Sequence, residues 1–257
     1  MAINNKQAKI FRSYGIEVRD GKLVSPIGLI NPVLKRGNTK VGRNVWTWST
    51  LPTNRLFDTE FGVVAGTCKC SCDGCYGMAG HYQRANVKRS LAINTILAYK
   101  WLNWLESAIL AQLECIGPCM VRIHATGDFF GDEYAEMWAD VVRKSPECKF
   151  WTYTKVAKYE TLFDQFKNAN IVKSIIPEVG YNFGHCDHIL HAKNELESRG
   201  EEVYICKCGV DDTQHCENCT GCSVNKWVLF LEHSTEYNAK KDPLYGKVCE
   251  IVNAQEA

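Results

Sequence analysis

The residues best suited to chemistry in this 257-residue chain are its fourteen cysteines. Nine of them lie in two short stretches, at 68–75 and 206–222. Clustered thiolates bind iron–sulfur clusters or zinc in a reducing compartment, whereas an exported chain would use them in disulfides. Because the N-terminus carries no signal-peptide pattern, we expect a cytoplasmic protein in which both stretches bind metal. The other five, expected to be small buried hydrophobic side chains, are Cys115, Cys119, Cys148, Cys186 and Cys249.

The first cysteine stretch has the spacing C-x3-C-x2-C at Cys68, Cys72 and Cys75. Three thiolates on one loop can each bind one iron of a cubane and leave the fourth iron open to a small molecule. Cys70 is an additional thiol, so a four-cysteine zinc site and unligated thiols are the alternatives. Zinc pairs usually leave two to four residues between cysteines, which favours a [4Fe-4S] cluster.

The second cysteine stretch contains C-x2-C-x2-C at 216–222, a spacing similar to that of bacterial ferredoxins. A fourth thiolate from Cys206, or alternatively from Cys208, would close the site. A closed site stabilises a loop or passes electrons, and either an auxiliary [4Fe-4S] cluster or a structural zinc satisfies it. His215 is a possible substitute ligand. The predicted ligands are Cys206, Cys216, Cys219 and Cys222.

The elements that must position these loops alternate between strand and helix through most of residues 60–231. This alternation predicts parallel strands joined by right-handed crossovers, so the expected fold class is α/β, a partial (β/α) barrel of mainly parallel strands. Loops at the C-terminal ends of such strands carry the chemistry, so both cysteine loops and Gly127-Asp128 should converge on one face. Strands are predicted at 120–125, 149–154, 171–176, 203–205 and 227–231, and helices at 84–113, 132–145, 159–167 and 187–198.

The chain divides by composition into a basic leader at 1–43 with little regular structure, a barrel domain at 44–232 that includes the 206–222 loop, and a C-terminal extension at 233–257. Residues 1–50 carry nine Lys and Arg against two Asp and Glu, although the whole chain is at +1. Such a leader could contact nucleic-acid phosphates, or simply lie solvated on an acidic body. No apolar run is long enough to span a bilayer, so no membrane partner is expected.

The spacing of Cys68, Cys72 and Cys75 resembles the signature of the radical S-adenosylmethionine (radical SAM) superfamily. In that superfamily the open iron chelates the methionine end of SAM, and the reduced cluster cleaves it to a 5′-deoxyadenosyl radical. By this resemblance Gly127 and Asp128 look like the methionine-binding segment, with Asp128 in place of the usual glutamate. The resemblance implies a [4Fe-4S] cluster, SAM, an electron donor such as flavodoxin or ferredoxin, and a substrate that the sequence does not identify.

A closer resemblance, over about residues 44–232, is to a cysteine-rich, radical-SAM-like family of phage and mobile-element proteins. It is carried by the stretches VWTWS at 45–49, CDGCY at 72–76, TGDFF at 126–130 and FWTYTK at 150–155. Gly74 stands where radical SAM enzymes usually have an aromatic residue, and Tyr76 could supply that ring. The predicted function is a radical SAM enzyme. The alternatives are a zinc- or cluster-stabilised nucleic-acid-binding module and an iron–sulfur enzyme that works without SAM.

Two residues at the end of a predicted strand, Tyr153 and Lys155, are expected to contact a cofactor or substrate. Tyr153 has the alternative of a half-buried strand aromatic, and His124 is expected to be a hydrogen-bonded strand histidine. No Walker loop or dinucleotide fingerprint is present. The remaining pocket candidates, for which a solvated helix start is the alternative, are Arg84, Asn86, Arg89, His185, Cys186, His188 and His191.

Overall fold

The computed structural model of the chain describes residues 2–37, 41–69, 75–211, 214–232 and 238–255. These residues form a mixed α/β fold with seven α-helices and fifteen short strands. The helices are α1 Asn5–Ser13, α2 Ala85–Lys100, α3 Leu102–Ile116, α4 Asp132–Lys144, α5 Cys186–Ser198, α6 Gly221–Val224 and α7 Tyr245–Ala254. The strands are β1 Val18–Arg19, β2 Lys22–Ser25, β3 Gly28–Ile30, β4 Lys35–Arg36, β5 Val45–Thr47, β6 Leu56–Thr59, β7 Gly62–Ala65, β8 Met120–Arg122, β9 Lys149–Thr154, β10 Ala169–Lys173, β11 Ile175–Ile176, β12 Gly180–Tyr181, β13 Phe183–Gly184, β14 Val203–Ile205 and β15 Trp227–Leu231.

A five-stranded sheet in the order β10-β9-β8-β5-β4 forms the centre of the structure. Its strands are parallel except for β4, which runs antiparallel to β5 at the edge. The register places Lys35, Thr47, Arg122 and Trp151 in one row across four strands. Because paired residues point to the same face of a sheet, these side chains share one face.

The opposite face of the central sheet packs on α3 and α4. Val121 and Phe150 are fully buried there in the main hydrophobic core. Trp48 meets Trp138 of α4 edge-to-face at 6.1 Å between ring centroids, and its Nε1 donates to the hydroxyl of Tyr134 at 2.8 Å. These large side chains fix α4 against the sheet, since burying each contributes about 2–3 kcal/mol.

The expectation of a leader with little regular structure at 1–43 is wrong for the described part. Residues 2–37 form α1 and a three-stranded sheet β1-β2-β3, and Phe11, Ile16 and Leu23 are buried in the main core. The buried side chain of Gln112 in α3 makes two hydrogen bonds, 2.9 and 2.8 Å, to the backbone of Leu34. A few apolar residues therefore pack this segment against the main core. The prediction failed because polar residues outnumber them in the sequence.

The expectation of mainly parallel strands holds only for part of the molecule, and the described residues form no closed barrel. Parallel pairing is confined to the central sheet and to a second sheet in the order β13-β15-β14. The other pairs are antiparallel, namely β1/β2, β2/β3, β4/β5, β6/β7 and β11/β12. The β1/β2 hairpin turns at Asp20 and Gly21, both with positive φ. This Asp-Gly pair is a hairpin signal in the sequence, and the prediction from strand–helix alternation did not use it.

Several predicted elements are confirmed and others are not. The strands at 149–154, 203–205 and 227–231 have the predicted bounds, and α5 begins one residue early. The long helix predicted over 84–113 is two helices, separated at Trp101, whose φ of −141° and ψ of 53° are not helical. The helix predicted over 159–167 is a short 3-10 turn, Ala157–Tyr159, followed by irregular turns.

The C-terminal extension is packed rather than separate. Val248 and Val252 of α7 are buried in a second core with Ile189 of α5 and Leu229 of β15. Among the described helices, none combines the length and apolar character needed to cross a membrane.

Candidate metal centres

The first cysteine loop is held against the turn that follows β8. The backbone N–H of Asp128 donates to the hydroxyl of Thr67 at 3.2 Å, and that hydroxyl lies 2.8 Å from the hydroxyl of Thr50. Gly127 has a φ of +89°, and a Cβ added there would lie 1.9 Å from Oγ1 of Thr50. Only glycine fits this close approach. The loop carrying Cys68 and the Gly127-Asp128 turn therefore meet, as the sequence predicted.

Asp128 is 4 % exposed, and most of the hydrogen bonds that its carboxylate can accept come from other residues of the chain. It accepts hydrogen bonds from the backbone N–H of Phe129 at 2.7 Å, the hydroxyl of Thr154 at 2.8 Å and the backbone N–H of Lys155 at 2.9 Å. Burial raises the pKa of Asp128 to about 6, against the effect of these three donors. The carboxylate thus joins the ends of β8 and β9, with one acceptor position left for a further donor.

Cys68 lies beside this carboxylate and is half-buried. Burial raises the pKa of its thiol to about 12, and the charges of Asp128 and then of Cys75 add to the shift. A bound cation would be needed to hold such a thiol as a thiolate at neutral pH. Cys68 and Cys75 therefore occupy one electrostatic neighbourhood with Asp128. The predicted ligand Cys72, the extra thiol Cys70, Gly74 and the side chain of Tyr76 lie outside the described residues.

The second cysteine group forms a compact site. Its five sulfurs line a single cavity of about 20 Å³, closed on the sheet side by Met120 and Trp151. The carbonyl of Cys222 accepts a hydrogen bond of 3.0 Å from the side chain of Asn170 in β10. On the other side, Glu217 reaches the backbone N–H of Asn44 at 3.1 Å. The cysteines lining the cavity are Cys206, Cys208, Cys216, Cys219 and Cys222.

Two tyrosines direct their hydroxyls at this group. Tyr153 donates to the sulfur of Cys222 at 3.1 Å, and the hydroxyl of Tyr204 lies 3.5 Å from the sulfur of Cys219. Burial raises the pKa of Cys222 to about 12, while the hydrogen bond from Tyr153 and the charge of Arg122 act in the opposite direction. Hydrogen-bond donors to sulfur stabilise a thiolate and tune a metal bound to it.

Cys206 and Cys208 both belong to the cavity, whereas the sequence favoured Cys206 alone. The hydrogen bond that Cys208 donates to Cys206 raises the pKa of Cys208 to about 12, while a hydrogen bond from Cys216 acts in the opposite direction. His215 lies next to Cys216, and its buried Nδ1 has no hydrogen-bond partner among the described residues. The donor set therefore exceeds the four that a closed site needs.

The donor set fits a soft metal better than any other ligand class, since five thiols face one another in a space the size of a single water. Within the part of the chain that is described, no three His, Cys, Asp or Glu side chains already surround one point at the spacing of ion ligands. Both cofactors expected from the sequence therefore need local adjustment of the loop.

The two cysteine groups do not converge on one face as predicted. Asp128 and Cys68 lie at the end of β9, beside Thr154, while the second group lies beside Trp151 near its start. Three residues along a strand span roughly 10 Å. The error arose because the 206–222 loop returns along the sheet to Asn170 instead of ending where β14 ends.

The other predicted residues are distributed over the structure. Tyr153 faces the second cysteine group rather than Gly127, and the ammonium of Lys155 lies over the ring of Tyr181 at 4.8 Å. His124 is buried and hydrogen-bonded to Tyr134 at 2.8 Å, as expected, but it is not a strand residue, because β8 ends at Arg122 and His124 has a φ of 57°. Cys186 is buried in the second core and His191 is exposed, so these two do not share a pocket.

The remaining five polar candidates also separate. His188 bonds to the carbonyl of Tyr181 at 2.8 Å, and His185 lies 3.4 Å from Glu232. Arg84 is the exposed N-cap of α2. Asn86 and Arg89 line a large cleft of about 790 Å³ beside the edge strand β4.

Sequence reasoning missed several residues of these sites. Met120, Arg122 and Tyr204 contact the second group or its tyrosine, and Thr67 positions Asp128. The register of β8 against β9, which places Arg122 beside Trp151, is the signal that identifies Met120 and Arg122. That register cannot be read from local composition.

Comparison with known proteins identifies the family. The model of the family described as Gene product 88 matches residues 32–241. The Gene 88 proteins of Mycobacterium phages L5 and D29 are each 46 % identical to this chain over 39 residues, which is 15 % of this chain and 16 % of each relative. No solved structure is significantly similar. Because the family model covers most of the chain, the protein belongs to the Gene product 88 family.

Proposed function

We propose that the protein is an iron–sulfur enzyme of the radical SAM type, with Cys68, Cys72 and Cys75 as ligands of a catalytic [4Fe-4S] cluster. The observation that carries this proposal is the hydrogen bond from the Gly127-Asp128 turn to Thr67, the residue before Cys68, together with the effect of the Asp128 charge on the Cys68 thiol. A cluster held by three thiolates would supply reductive cleavage of SAM. Cys68 and Gly127 are 59 positions apart in the chain.

The chain's own residues account for the positioning. Thr67 holds the backbone of Asp128, and Thr154 and Lys155 hold its carboxylate, so the carboxylate has a fixed orientation. A carboxylate fixed in this way would accept the ammonium of the methionine end of SAM. Its fixed orientation would lower the cost of ordering the ligand.

The second cysteine group would serve as an auxiliary centre, holding either a second [4Fe-4S] cluster or zinc. The hydroxyls of Tyr153 and Tyr204 would donate to its sulfur ligands. The partial barrel expected for this function is supported by hydrogen bonds that join the two parallel sheets. Lys173 of β10 donates to the carbonyl of Lys226 at 2.9 Å, just before β15 begins.

Anaerobic reconstitution with iron and sulfide, followed by counts of iron, sulfide and zinc, tests the proposal together with a SAM-cleavage assay. With dithionite and SAM, the wild-type protein should form 5′-deoxyadenosine. Cys68→Ala should abolish cleavage and remove about four irons, while Cys222→Ala should affect only the second centre. Cys249→Ala, at a half-exposed cysteine of α7, is the matched control. Zinc without iron, or a reconstituted cluster that does not cleave SAM, would refute the proposal.

A metal-stabilised nucleic-acid-binding module is the second candidate, favoured by exposed cations on residues 2–37. Lys6, Lys9 and Arg12 lie exposed on α1, and Arg19 is exposed on β1. Phosphate contacts by these residues would make binding fall steeply with salt. Charge-removing substitutions test this better than deletion of the segment, because the deletion would also remove Phe11 and Leu23 from the core.

A further inference from the structure

The cleft beside β4 has a one-sided charge distribution. Its volume of about 790 Å³ is that of a small-molecule site. The chain as a whole has 30 Lys and Arg against 29 Asp and Glu. The described residues that line the cleft nevertheless include five cations and no carboxylate. These cations are Lys22, Lys35, Arg36, Arg89 and Arg122, and of them Arg89 is ion-paired with Glu60, which is not among the lining residues.

Two of these cations share a row of the central sheet. Lys35 pairs with Thr47, and Thr47 pairs with Arg122, so the three side chains project from one face at successive strands. Neighbouring strands are about 4.8 Å apart, which places Lys35 and Arg122 roughly 10 Å apart. Thr47 lies between them, and its hydroxyl donates to the backbone carbonyl of Lys35 at 3.2 Å. The spacing of the two cations suits a ligand that has more than one anionic oxygen.

Lys35 in particular has no carboxylate partner in the described chain. It is half-buried, and its Nζ donates only to the carbonyl of Pro32, at 2.6 Å. Burial lowers its pKa to about 8. An ammonium removed from water without a counter-charge is costly, and an anion bound in the cleft would offset that cost.

Arg122 connects the cleft to the second cysteine group. Its guanidinium lies over the ring of Tyr153 at 5.0 Å, and the hydroxyl of Tyr153 donates to Cys222. Arg122 is also one of the residues that line the cleft, and a guanidinium, as a planar donor, matches phosphate oxygens in pairs. An anion bound at Arg122 would therefore lie one side chain away from the candidate auxiliary centre.

We propose that Lys35 and Arg122 form an anion subsite and that the cleft binds a small phosphate ester. The proposal does not require radical chemistry, since it concerns binding alone. A phosphate ester fits because its two negative charges match the two cations of the row. The roughly 790 Å³ of space leaves room for an organic group beside Trp46 and Tyr82.

Calorimetric titration of the full chain with inorganic pyrophosphate, without reductant or SAM, tests this subsite. We expect saturable binding that Lys35→Gln and Arg122→Gln each weaken about tenfold, the loss of one charge-assisted contact. Arg122→Lys should recover part of the affinity. Lys9→Gln, which removes an exposed charge of α1 outside the cleft, should change affinity less than twofold. Thermal melting confirms that each variant is folded.

Two results would overturn the proposal. One is the absence of saturable pyrophosphate binding, and the other is equal weakening by Lys9→Gln and Lys35→Gln, which would indicate diffuse attraction. Tighter binding of a single-stranded oligonucleotide that depends on Lys9 rather than on Lys35 would also overturn it and would favour a nucleic-acid surface. SAM cleavage, measured separately, succeeds or fails independently of these results.

Discussion

The hydroxyl of Tyr153 lies 3.1 Å from the sulfur of Cys222, across the edge of the cysteine cavity. Tyr153 belongs to β9 of the central sheet, and Cys222 belongs to the short helix α6, 69 residues further along the chain. The contact thus joins the second cysteine group to the central sheet. It also gives the candidate metal centre a hydrogen bond that can be removed without removing a proposed ligand.

Tyr153→Phe should therefore weaken metal binding at the second group while leaving its stoichiometry unchanged. A hydrogen bond to a charged group contributes about 1.5 kcal/mol, which corresponds to about tenfold in affinity. Competition between the protein and a chromophoric chelator for Zn²⁺, under anaerobic reducing conditions, measures the change. Tyr204→Phe should have a smaller effect because its contact with Cys219 is longer, at 3.5 Å. Tyr14→Phe, at a hydroxyl bonded to Glu114, is the distant control. Equal affinities for wild type and Tyr153→Phe would contradict the assigned role.

Gly127→Ala should be strongly destabilising because its Cβ would meet Thr50 and Thr67 in addition to requiring a positive φ. We expect a loss of at least about 3 kcal/mol in the free energy of unfolding, measured by urea denaturation. Gly117→Ala separates the two causes. Gly117 also has a positive φ, +77°, but open space around it, so its loss should be about 1 kcal/mol. Gly131→Ala, with neither constraint, should stay within about 0.5 kcal/mol of wild type. Similar losses at positions 117 and 127 would disprove the close approach.

His124 should make the protein less stable as the solution becomes acidic. Burial lowers its pKa to about 3, whereas in the unfolded chain the pKa is near 6.5. Between these values the unfolded state binds a proton that the folded state does not, so stability falls as pH falls below about 6.5. The free energy of unfolding should fall by at most about 1.4 kcal/mol per pH unit through this one group.

The matched variant for this prediction is His124→Asn. Asparagine tolerates the positive φ of 57° at this position and does not titrate. Urea denaturation of both proteins between pH 7 and pH 4.5 should give a steeper loss for the wild type. Parallel pH profiles would show that the imidazole is not the group responsible.

Cys119 and Cys148 should form a disulfide readily when the protein meets a disulfide oxidant such as oxidised glutathione. Their sulfurs are 3.7 Å apart, and the two residues precede the paired strands β8 and β9. The hydrogen bond from the Cys119 thiol lowers the pKa of Cys148, which favours its thiolate as the attacking group. Mass spectrometry of peptides after mild oxidation should find this bridge before one that involves Cys115. Preferential oxidation of Cys115 would contradict the prediction.

The parts of the fold that local sequence determines were predictable. The strand at 149–154 and the helix near 187–198 have strong composition or periodicity, and both exist. The meeting of Cys68 with Asp128 was predictable only through resemblance, since nothing local joins residues so far apart. The position of the 206–222 loop beside Trp151 depends on tertiary hydrogen bonds such as that of Asn170, and no local pattern encodes those.

The two hydrogen bonds between Gln112 and Leu34 affect how the chain folds. The two residues are 78 positions apart, and Tyr14 and Glu114 are 100 apart. Forming contacts between residues so far apart in sequence costs a large loop-closure entropy before the contacts contribute any stability, and this slows folding. During synthesis the opening segment must wait for α3 to emerge before its apolar side chains are covered. A chaperone that shields exposed hydrophobic surface should therefore raise the yield of native protein.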